Sequence, residues 1–269
     1  MTKLSDLFIA GNVYDTSDAD ITVDDITRGK IGYGPLGRLE WVPPPLPELA
    51  GLVMHSVIGD IADFYQDSIK TTPVTVSGDP VGAWVDKSGN GNDFIQATAG
   101  SRPEYQGTTI AFVAETLQSP AWLVPDEYMI GGRFERSITT DTRGILSIGN
   151  TAATATPHLY VQNTGTGYQI SINNGYHFFK TLAIDTPHSL VLKVTKPASN
   201  YLIDCWFDGV KQTQYDAGAS LYQTGTTIPV WLATGYGGIT NSKHKCIVLA
   251  EGAYTDTDAT DLSDYLDGL

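Results

Sequence analysis

Short runs of alternating polar and apolar residues recur along most of the chain. Residues 81–86 read V-G-A-W-V-D, so aliphatic side chains alternate with Gly82, Trp84 and Asp86. This is the period of a β-strand with two unlike faces, and we expect the Trp84 ring to pack inward. Further runs of strand length, separated by Gly, Asn, Thr or Pro, are residues 49–57, 109–113, 128–138, 144–148, 158–162, 168–172, 176–180, 189–195, 202–210, 230–235 and 245–250. The pattern predicts an all-β protein of many short strands.

The last predicted element is a helix over residues 254–266. Leu262, Tyr265 and Leu266 recur at helical spacing and would form its apolar face. Thr257 is the expected N-cap, because a threonine hydroxyl can accept a hydrogen bond from a free amide of the first turn. We therefore expect one capped helix after the last strand.

The first 47 residues follow a different pattern, with too little alternating hydrophobicity to build a core. An acidic stretch at 15–25 and a glycine-rich stretch at 29–37 lead to the P-P-P-L-P run at 43–47. Consecutive prolines form an extended, semi-rigid strut. We therefore divide the chain into an N-terminal arm with this strut, residues 1–47, and a domain, residues 48–269.

Two interpretations of the arm remain open, a disordered tail or an arm that becomes ordered against neighbouring subunits. Its apolar side chains are more frequent than a solvated tail needs, which favours the second interpretation. The residues expected to make the assembly contacts are Leu7, Phe8, Ile9, Tyr33 and Trp41.

Charge and cysteine content narrow the classes of function. The formal net charge is -14, so binding to nucleic-acid phosphates lacks the basic face that it needs. Cys205 and Cys246 each lie in an apolar run, which predicts two buried thiols and leaves a disulfide open. No N-terminal apolar stretch is long enough for a signal peptide or a membrane span, so we expect synthesis in the cytosol.

The stretch around Trp84 resembles a known family. The phrase W-x-D-x-S-G-N-G-N at 84–92, followed by S-R-P-E-Y at 101–105, is similar to the concanavalin A-like lectin/glucanase (laminin-G-type) jelly rolls common in tailed-phage virion proteins. The phrase W-F-D-G-V at 206–210 resembles a hairpin of that family. The resemblance covers about residues 48–269 and implies a jelly-roll β-sandwich with an extended N-terminal arm and a short C-terminal helix.

The sequence departs from this family at one phrase and lacks another. Ala-Glu-Thr at 114–116 replaces the family's F-D-G-x-D-D-Y phrase, which removes acidic residues that accompany a metal in some relatives. Sugar-cleaving enzymes on this fold carry E-x-D-x-x-E, because their chemistry needs two carboxylates about 5 Å apart. No such spacing occurs here, and no histidine lies in a nucleophile or zinc motif. We therefore expect that the protein is not an enzyme.

Two binding functions remain to be weighed. Asp86, Asn90, Asn92 and Asp93 could present oxygens to calcium from one loop, although the same residues also suit a tight turn, which we favour. No other cofactor is expected. Aromatic side chains beside loops could stack on sugar rings, and the candidates are Tyr168, Tyr176, His177, Tyr222 and Tyr236.

The resemblance and the missing catalytic motif imply a structural protein of a tailed-phage virion, such as a capsid decoration, head spike, tail or fibre component. It would be assembled in the host cytoplasm, fastened to other virion proteins by its arm, and form a homo-oligomer, most simply a trimer. The alternative is an adhesin that binds a host surface glycan, and a glycoside hydrolase ranks third. Neither nucleic acid nor membrane is expected as a partner.

Overall fold

The structure is a computed structural model. It describes residues 6–9, 12–15, 32–33, 39–40, 45–113, 115–136, 143–149, 158–164, 166–172, 175–221, 224–235, 238–239 and 241–269.

The strands follow one another in short segments. In chain order they are β1 (Asp6–Ile9), β2 (Asn12–Asp15), β3 (Gly32–Tyr33), β4 (Leu39–Glu40), β5 (Leu52–Val57), β6 (Phe64–Tyr65), β7 (Ala83–Trp84), β8 (Phe94–Ile95), β9 (Glu104–Tyr105), β10 (Ile110–Phe112), β11 (Leu117–Gln118), β12 (Trp122–Leu123), β13 (Tyr128–Arg136), β14 (Arg143–Ile148), β15 (Leu159–Thr164), β16 (Gly167–Ile172), β17 (Gly175–Thr181), β18 (Pro187–Thr195), β19 (Tyr201–Phe207), β20 (Val210–Lys211), β21 (Tyr215–Gly218), β22 (Thr227–Ile228), β23 (Val230–Leu232), β24 (Thr234–Gly235), β25 (Gly238–Ile239) and β26 (Ser242–Glu251). The helices are two 3₁₀ turns, Ile61–Asp63 and Ala99–Ser101, and the α-helix α1, Asp256–Asp267.

Two large sheets form a sandwich. The nine-stranded sheet has the order β20-β19-β18-β13-β26-β10-β9, with β21 beside β19 and β5 beside β26. The eleven-stranded sheet has the order β17-β16-β15-β14-β23-β11-β8-β7-β6, with the β24–β25 pair attached at β14. The pairing is antiparallel except between β14 and β25. The all-β sandwich with a short C-terminal helix that the sequence predicts is confirmed.

The core lies between the two sheets and contains the ring of Trp84, the first residue of the W-x-D-x-S-G-N-G-N phrase. Trp84 is 0% exposed, as predicted. It lies between its two cross-strand partners, with ring centroids 5.9 Å from Phe64 and 6.1 Å from Phe94. The Phe64 ring in turn lies 5.1 Å from that of Tyr105. The inward-facing residues of four short strands therefore make one aromatic cluster.

Helix α1 covers the outer face of the nine-stranded sheet. Its apolar side chains, Leu262, Tyr265 and Leu266, pack in a second buried cluster with Met129, Val191, Trp206, Cys246 and Val248. Gly131 allows the close approach, since a Cβ there would lie 2.9 Å from a methyl carbon of Leu262. Both faces of this sheet are therefore buried at the strands beneath the helix, β13, β18 and β19.

The predicted N-cap of the helix is wrong by two residues. The Thr255 hydroxyl, rather than that of Thr257, accepts the Asp258 amide at 3.2 Å. The Asp258 carboxylate in turn accepts the Thr255 amide at 2.7 Å, which completes a capping box. Only Thr255 has a carboxylate three residues later, and this decides where the helix begins.

The two cysteines lie on opposite faces of the nine-stranded sheet. Cys205 belongs to the core between the sheets, whereas Cys246 lies under α1. Both are buried and free, as predicted for thiols, so they do not form a disulfide. Burial raises the pKa of each thiol, which keeps both protonated at neutral pH.

Little of the arm is described. β1 pairs with β2 and β3 pairs with β4, but the side chains of Leu7, Phe8, Ile9 and Tyr33 lie outside the description, as does all of Trp41. The assembly contacts of the arm and the boundary at residue 47 stay predictions. Within the described residues, no helix is long and apolar enough to span a membrane.

Candidate functional site

The loop of the W-x-D-x-S-G-N-G-N phrase is closed by its first carboxylate. Asp86 is 6% exposed and accepts hydrogen bonds from the amides of His55 at 2.8 Å, Ser88 at 2.9 Å and Asn92 at 2.9 Å. It also accepts the Ser88 hydroxyl at 2.7 Å. The Asp86 carboxylate is therefore fully engaged in holding the turn.

The amides of the same loop bind the first strand of the domain. β5 and β26 shift register between Leu249 and Ala250, which leaves Val53 as the extra residue of a β-bulge. The Val53 carbonyl accepts the side chains of Asn92 at 2.8 Å, Ser88 at 3.1 Å and Asn90 at 3.2 Å. The phrase thus satisfies a carbonyl that the sheet hydrogen bonds leave out, and its role here is structural.

This geometry corresponds to the turn interpretation of the four predicted calcium ligands. The Asp93 carboxylate accepts the Asp86 amide at 2.8 Å and pairs with Lys70 at 2.5 Å. Asn90 and Asn92 turn their NH₂ groups, rather than a free oxygen, to the β5 carbonyls. Across the described ranges, no three His, Cys, Asp or Glu side chains are grouped to hold a metal. Calcium would have to displace these hydrogen bonds.

Of the predicted sugar-stacking residues, the structure describes the side chains of Tyr168 and His177. The prediction for Tyr168 is wrong, because this side chain is 0% exposed and its hydroxyl donates to the Phe134 carbonyl inside the core. His177 stacks on Tyr215 with centroids 3.6 Å apart, so one ring face is covered. The Tyr176 side chain lies outside the description, and so do Tyr222 and Tyr236.

A different set of side chains lines up on the outer face of the eleven-stranded sheet. We call it the Trp231 row. Its members are direct cross-strand partners in the order Trp231, Gln118, Ile95, Ala83 and Tyr65. The residues that alternate with them, among them Leu232, Leu117, Phe94, Trp84 and Phe64, belong to the core. Because side chains alternate across a strand, the row faces away from the core.

Four of the five members of the Trp231 row are reachable from solvent, while Ala83, between Ile95 and Tyr65, is 0% exposed. Trp231, Gln118, Ile95 and Tyr65 are all partly exposed. With neighbouring strands about 4.8 Å apart, the four steps from Trp231 to Tyr65 span roughly 19 Å. The row therefore offers an indole, an amide, an aliphatic side chain and a phenol in a line across the strands.

At the Trp231 end of the row lies a buried hydroxyl, that of Ser147. Ser147 is the partner of Trp231 on β14, and Tyr160 follows on β15. The Ser147 hydroxyl is buried and has no hydrogen-bond partner among the described residues. An unpaired buried polar atom is costly, so a polar group that reached it would be stabilised.

The face is buried at Tyr160 and Gln162, which are 1% and 2% exposed, and it becomes accessible again toward the edge strand. The Gln162 amide donates to the Gln169 side-chain oxygen at 2.8 Å. Opposite Gln169 on the edge strand lies Phe179, whose side chain is 53% exposed. The ion pairs Lys70–Asp93 and Lys87–Asp63 lie near the Tyr65 end of the row, and the hydrogen bond to Asp93 raises the pKa of Lys70.

Rings with apolar faces among side-chain amides are the groups that bind sugars, which combine apolar C–H faces with hydroxyls. Sequence reasoning missed these residues because it sought tyrosines in loops. A signal was available in Val230-Trp231-Leu232, where alternation places the indole opposite two core residues.

Comparison with known proteins adds information at the level of the fold. No family model matches the chain, and no curated protein matches it. A Trypanosoma rangeli sialidase in complex with sialic acid is similar, with a TM-score of 0.57 at 11% identity over 91% of this chain and 37% of the sialidase. A GH54 α-L-arabinofuranosidase has a TM-score of 0.54 at 13% identity over 81% of this chain and 63% of that one.

The receptor-binding domain of botulinum neurotoxin type G is also similar, with a TM-score of 0.52 at 8% identity over 80% of this chain and 51% of that chain. This chain spans less than two thirds of the length of each of these three structures. At such identities the likeness shows a shared β-sandwich fold.

One prediction is corrected by these structures. We expected a protein that is not an enzyme, on the ground that the E-x-D-x-x-E phrase is absent. That conclusion is contradicted, because structures with a similar fold include sialidases and an arabinofuranosidase. The absence of one family's motif excluded only that family's arrangement of carboxylates.

Proposed function

We propose that this protein is a carbohydrate-binding β-sandwich and that a glycan lies along the Trp231 row. The observation that carries the proposal is the alignment of Trp231, Gln118, Ile95 and Tyr65 on an accessible sheet face. The likeness to a sialidase bound to sialic acid and to a toxin receptor-binding domain supports it at the level of fold.

Each group has a distinct part in this binding mode. The Trp231 indole offers an apolar face to the C–H face of one sugar ring, and Tyr65 offers a second ring at the far end. The Gln118 amide can donate to one sugar hydroxyl and accept from another. The buried Ser147 hydroxyl can pair with a group that enters beside Trp231.

The test is glycan binding by the 269-residue chain and by Trp231→Ala. We expect saturable binding to at least one glycan on an array, and a loss of at least tenfold in affinity for the variant by calorimetry. Leu123→Ala is the matched control, since Leu123 is 57% exposed and belongs to the β12–β22 pair instead. Equal binding by Trp231→Ala, or binding to no glycan, would contradict the proposal.

A second candidate, hydrolysis of the bound glycan, is supported by the fold shared with sialidases and an arabinofuranosidase. Hydrolysis is tested by incubating the bound glycan with the chain and with each variant and measuring the release of new reducing ends over time. Product formation that is lost in Trp231→Ala but kept in Leu123→Ala would assign the reaction to this face.

For the biological setting, we propose display on a tailed-phage virion as a homo-oligomer, most simply a trimer, anchored by the arm. The support is the sequence phrase at 84–92 and the apolar residues of the arm. Deleting residues 1–47 should leave the sandwich folded but absent from purified particles. A truncated chain that aggregates or melts far below the full chain would place the arm in the core instead.

A further inference from the structure

We infer that the glycan on the Trp231 row is uncharged, and that sialic acid and other carboxylated sugars are disfavoured there. This inference rests on the proposed function and names its ligand class. It concerns the charge of the site, which the fold comparison leaves open.

The polar side chains in and beside the row are neutral. They are the Gln118 amide and the Tyr65 phenol in the row and the Ser147 hydroxyl next to Trp231. A carboxylate that leaves water needs a cation or several amide donors to replace its hydration. Ion pairing would come best from a guanidinium, which binds a carboxylate through two parallel hydrogen bonds. The described part of the row carries no such group.

The cations among the described residues are also engaged elsewhere. Most are already paired with carboxylates: Lys70 with Asp93, Lys87 with Asp63, Arg133 with Asp267, Lys193 with Asp204 and Asp256, Lys196 with Asp126, Lys211 with Asp204 and Asp256, and Lys243 with Glu135. Lys70, which lies beside Tyr65, would have to leave Asp93, whose side chain is only 13% exposed, and a carboxylate left unpaired there offsets the gain.

Arg136 and Lys245 belong to strands of the nine-stranded sheet and donate to the carbonyls of Leu182 and Leu269, and the Arg143 side chain lies outside the described residues. Two further cations are turned away from the row. Arg102 donates to the carbonyls of Gln96 and Ala97, each at 3.2 Å. Lys180 is the cross-strand partner of Tyr168, so it lies on the inward side of β17, while its neighbour Phe179 lies on the outward side. Neither is in position to meet a ligand on the outer face.

The electrostatic field of the whole molecule also disfavours an anionic ligand. Sixteen basic and thirty acidic residues give a formal net charge of -14. A field of this sign lowers the local concentration of an anionic ligand and slows its association, most strongly at low salt. A neutral glycan is unaffected. The fold is thus similar to that of a sialidase bound to sialic acid, but the charge of this face suits a different ligand.

The test uses sugar pairs that differ in the charge of one carboxyl group per sugar: the methyl ester of 3′-sialyllactose against 3′-sialyllactose, and methyl-esterified oligogalacturonate against oligogalacturonate of the same length. Calorimetry on the full chain at 20 and 150 mM salt should show a neutral member bound at least tenfold more tightly than its carboxylated partner. The neutral affinity should not change with salt. Tighter binding of a carboxylated member would overturn the inference and leave the proposed function standing. Binding to no glycan would overturn both.

A variant locates the effect on the row. Gln118→Lys places a cation beside Trp231, and we expect it to raise the affinity for the carboxylated member at least threefold at 20 mM salt. Gln118→Met is the uncharged control and should give no such gain. If Gln118→Lys changes the selectivity no more than Gln118→Met does, the charge of this row does not set the ligand class, and the inference fails.

Discussion

Each sheet of the sandwich carries an outward-facing tryptophan, and the two differ in exposure to solvent. Trp206 on β19 and Trp231 on β23 each point away from the core between the sheets. Trp206 is only 2% exposed, because α1 and two lysines cover it, with Lys193 Nζ 5.5 Å and Lys211 Nζ 5.1 Å from its ring centroid. Trp231 stays partly exposed. An outward tryptophan therefore contributes to stability or is free for a ligand, according to what lies over its sheet.

The cover over Trp206 is a ring of alternating charges. Lys193 and Lys211 each contact Asp204, which is buried on β19, and Asp256, which opens α1. Both lysines donate hydrogen bonds to the Asp256 carboxylate, which lowers the pKa of Asp256. This ring ties the helix to the sheet. The described part of the Trp231 row has nothing comparable.

The largest effect on stability should follow from removing the Trp206 ring beneath α1. Trp206→Ala removes a ring from beneath the helix and the charge ring, and should lower the free energy of unfolding by about 3–5 kcal/mol. Urea denaturation followed by far-UV circular dichroism measures this. A loss below 1 kcal/mol would mean that the helix is only loosely held.

The second largest effect on stability should come from low pH, through a histidine on the inner side of the nine-stranded sheet. His244 is buried between Phe112 and Phe134, with centroids at 4.7 and 5.0 Å, and burial lowers its pKa to about 3. The unfolded chain, with an ordinary histidine pKa near 6.5, then binds a proton that the folded chain does not. Stability present above pH 6.5 is therefore lost as the pH falls toward 3, by up to about 3 kcal/mol at pH 4.

Urea titrations of the wild type and of His244→Phe from pH 7 to 4 check this. The variant should lose less stability over the interval, whatever its stability at pH 7. A fall of the same size in both proteins would assign the acid sensitivity to other groups.

A smaller effect should come from the start of the helix. Thr255→Ala removes the hydroxyl that accepts the Asp258 amide, and should cost about 1 kcal/mol. Thr257→Ala is the matched control and should cost less, since Thr257 is not the cap. The reverse order in thermal melts would contradict the capping box.

The open face should show its largest effect in glycan binding. Trp231→Ala should lower the free energy of unfolding less than Trp206→Ala does, because part of the Trp231 ring is already in water. If it destabilises as much as Trp206→Ala, the two faces do not differ as proposed and Trp231 is a structural residue.

Local sequence determined much of the architecture. Alternation located the long strands, as at residues 128–138 against β13 and 189–195 against β18, and it predicted a buried Trp84. It missed the two-residue strands such as β11, because two residues show no period. The sequence also contains the signal for the capping box, since Asp258 follows Thr255 by three residues. Our prediction of Thr257 overlooked this spacing.

Only the tertiary structure decided which faces are covered. Alternation tells which residues share a face of a strand, but a face becomes buried through segments far away in sequence. Asp256 of α1 closes over Trp206 from 50 positions later, and Tyr168 is turned inward by the register of β16. Trp231 gained its partners Gln118 and Ser147 in the same way, from strands more than 80 residues before it. A row across a sheet joins distant segments, so no window of the sequence contains it.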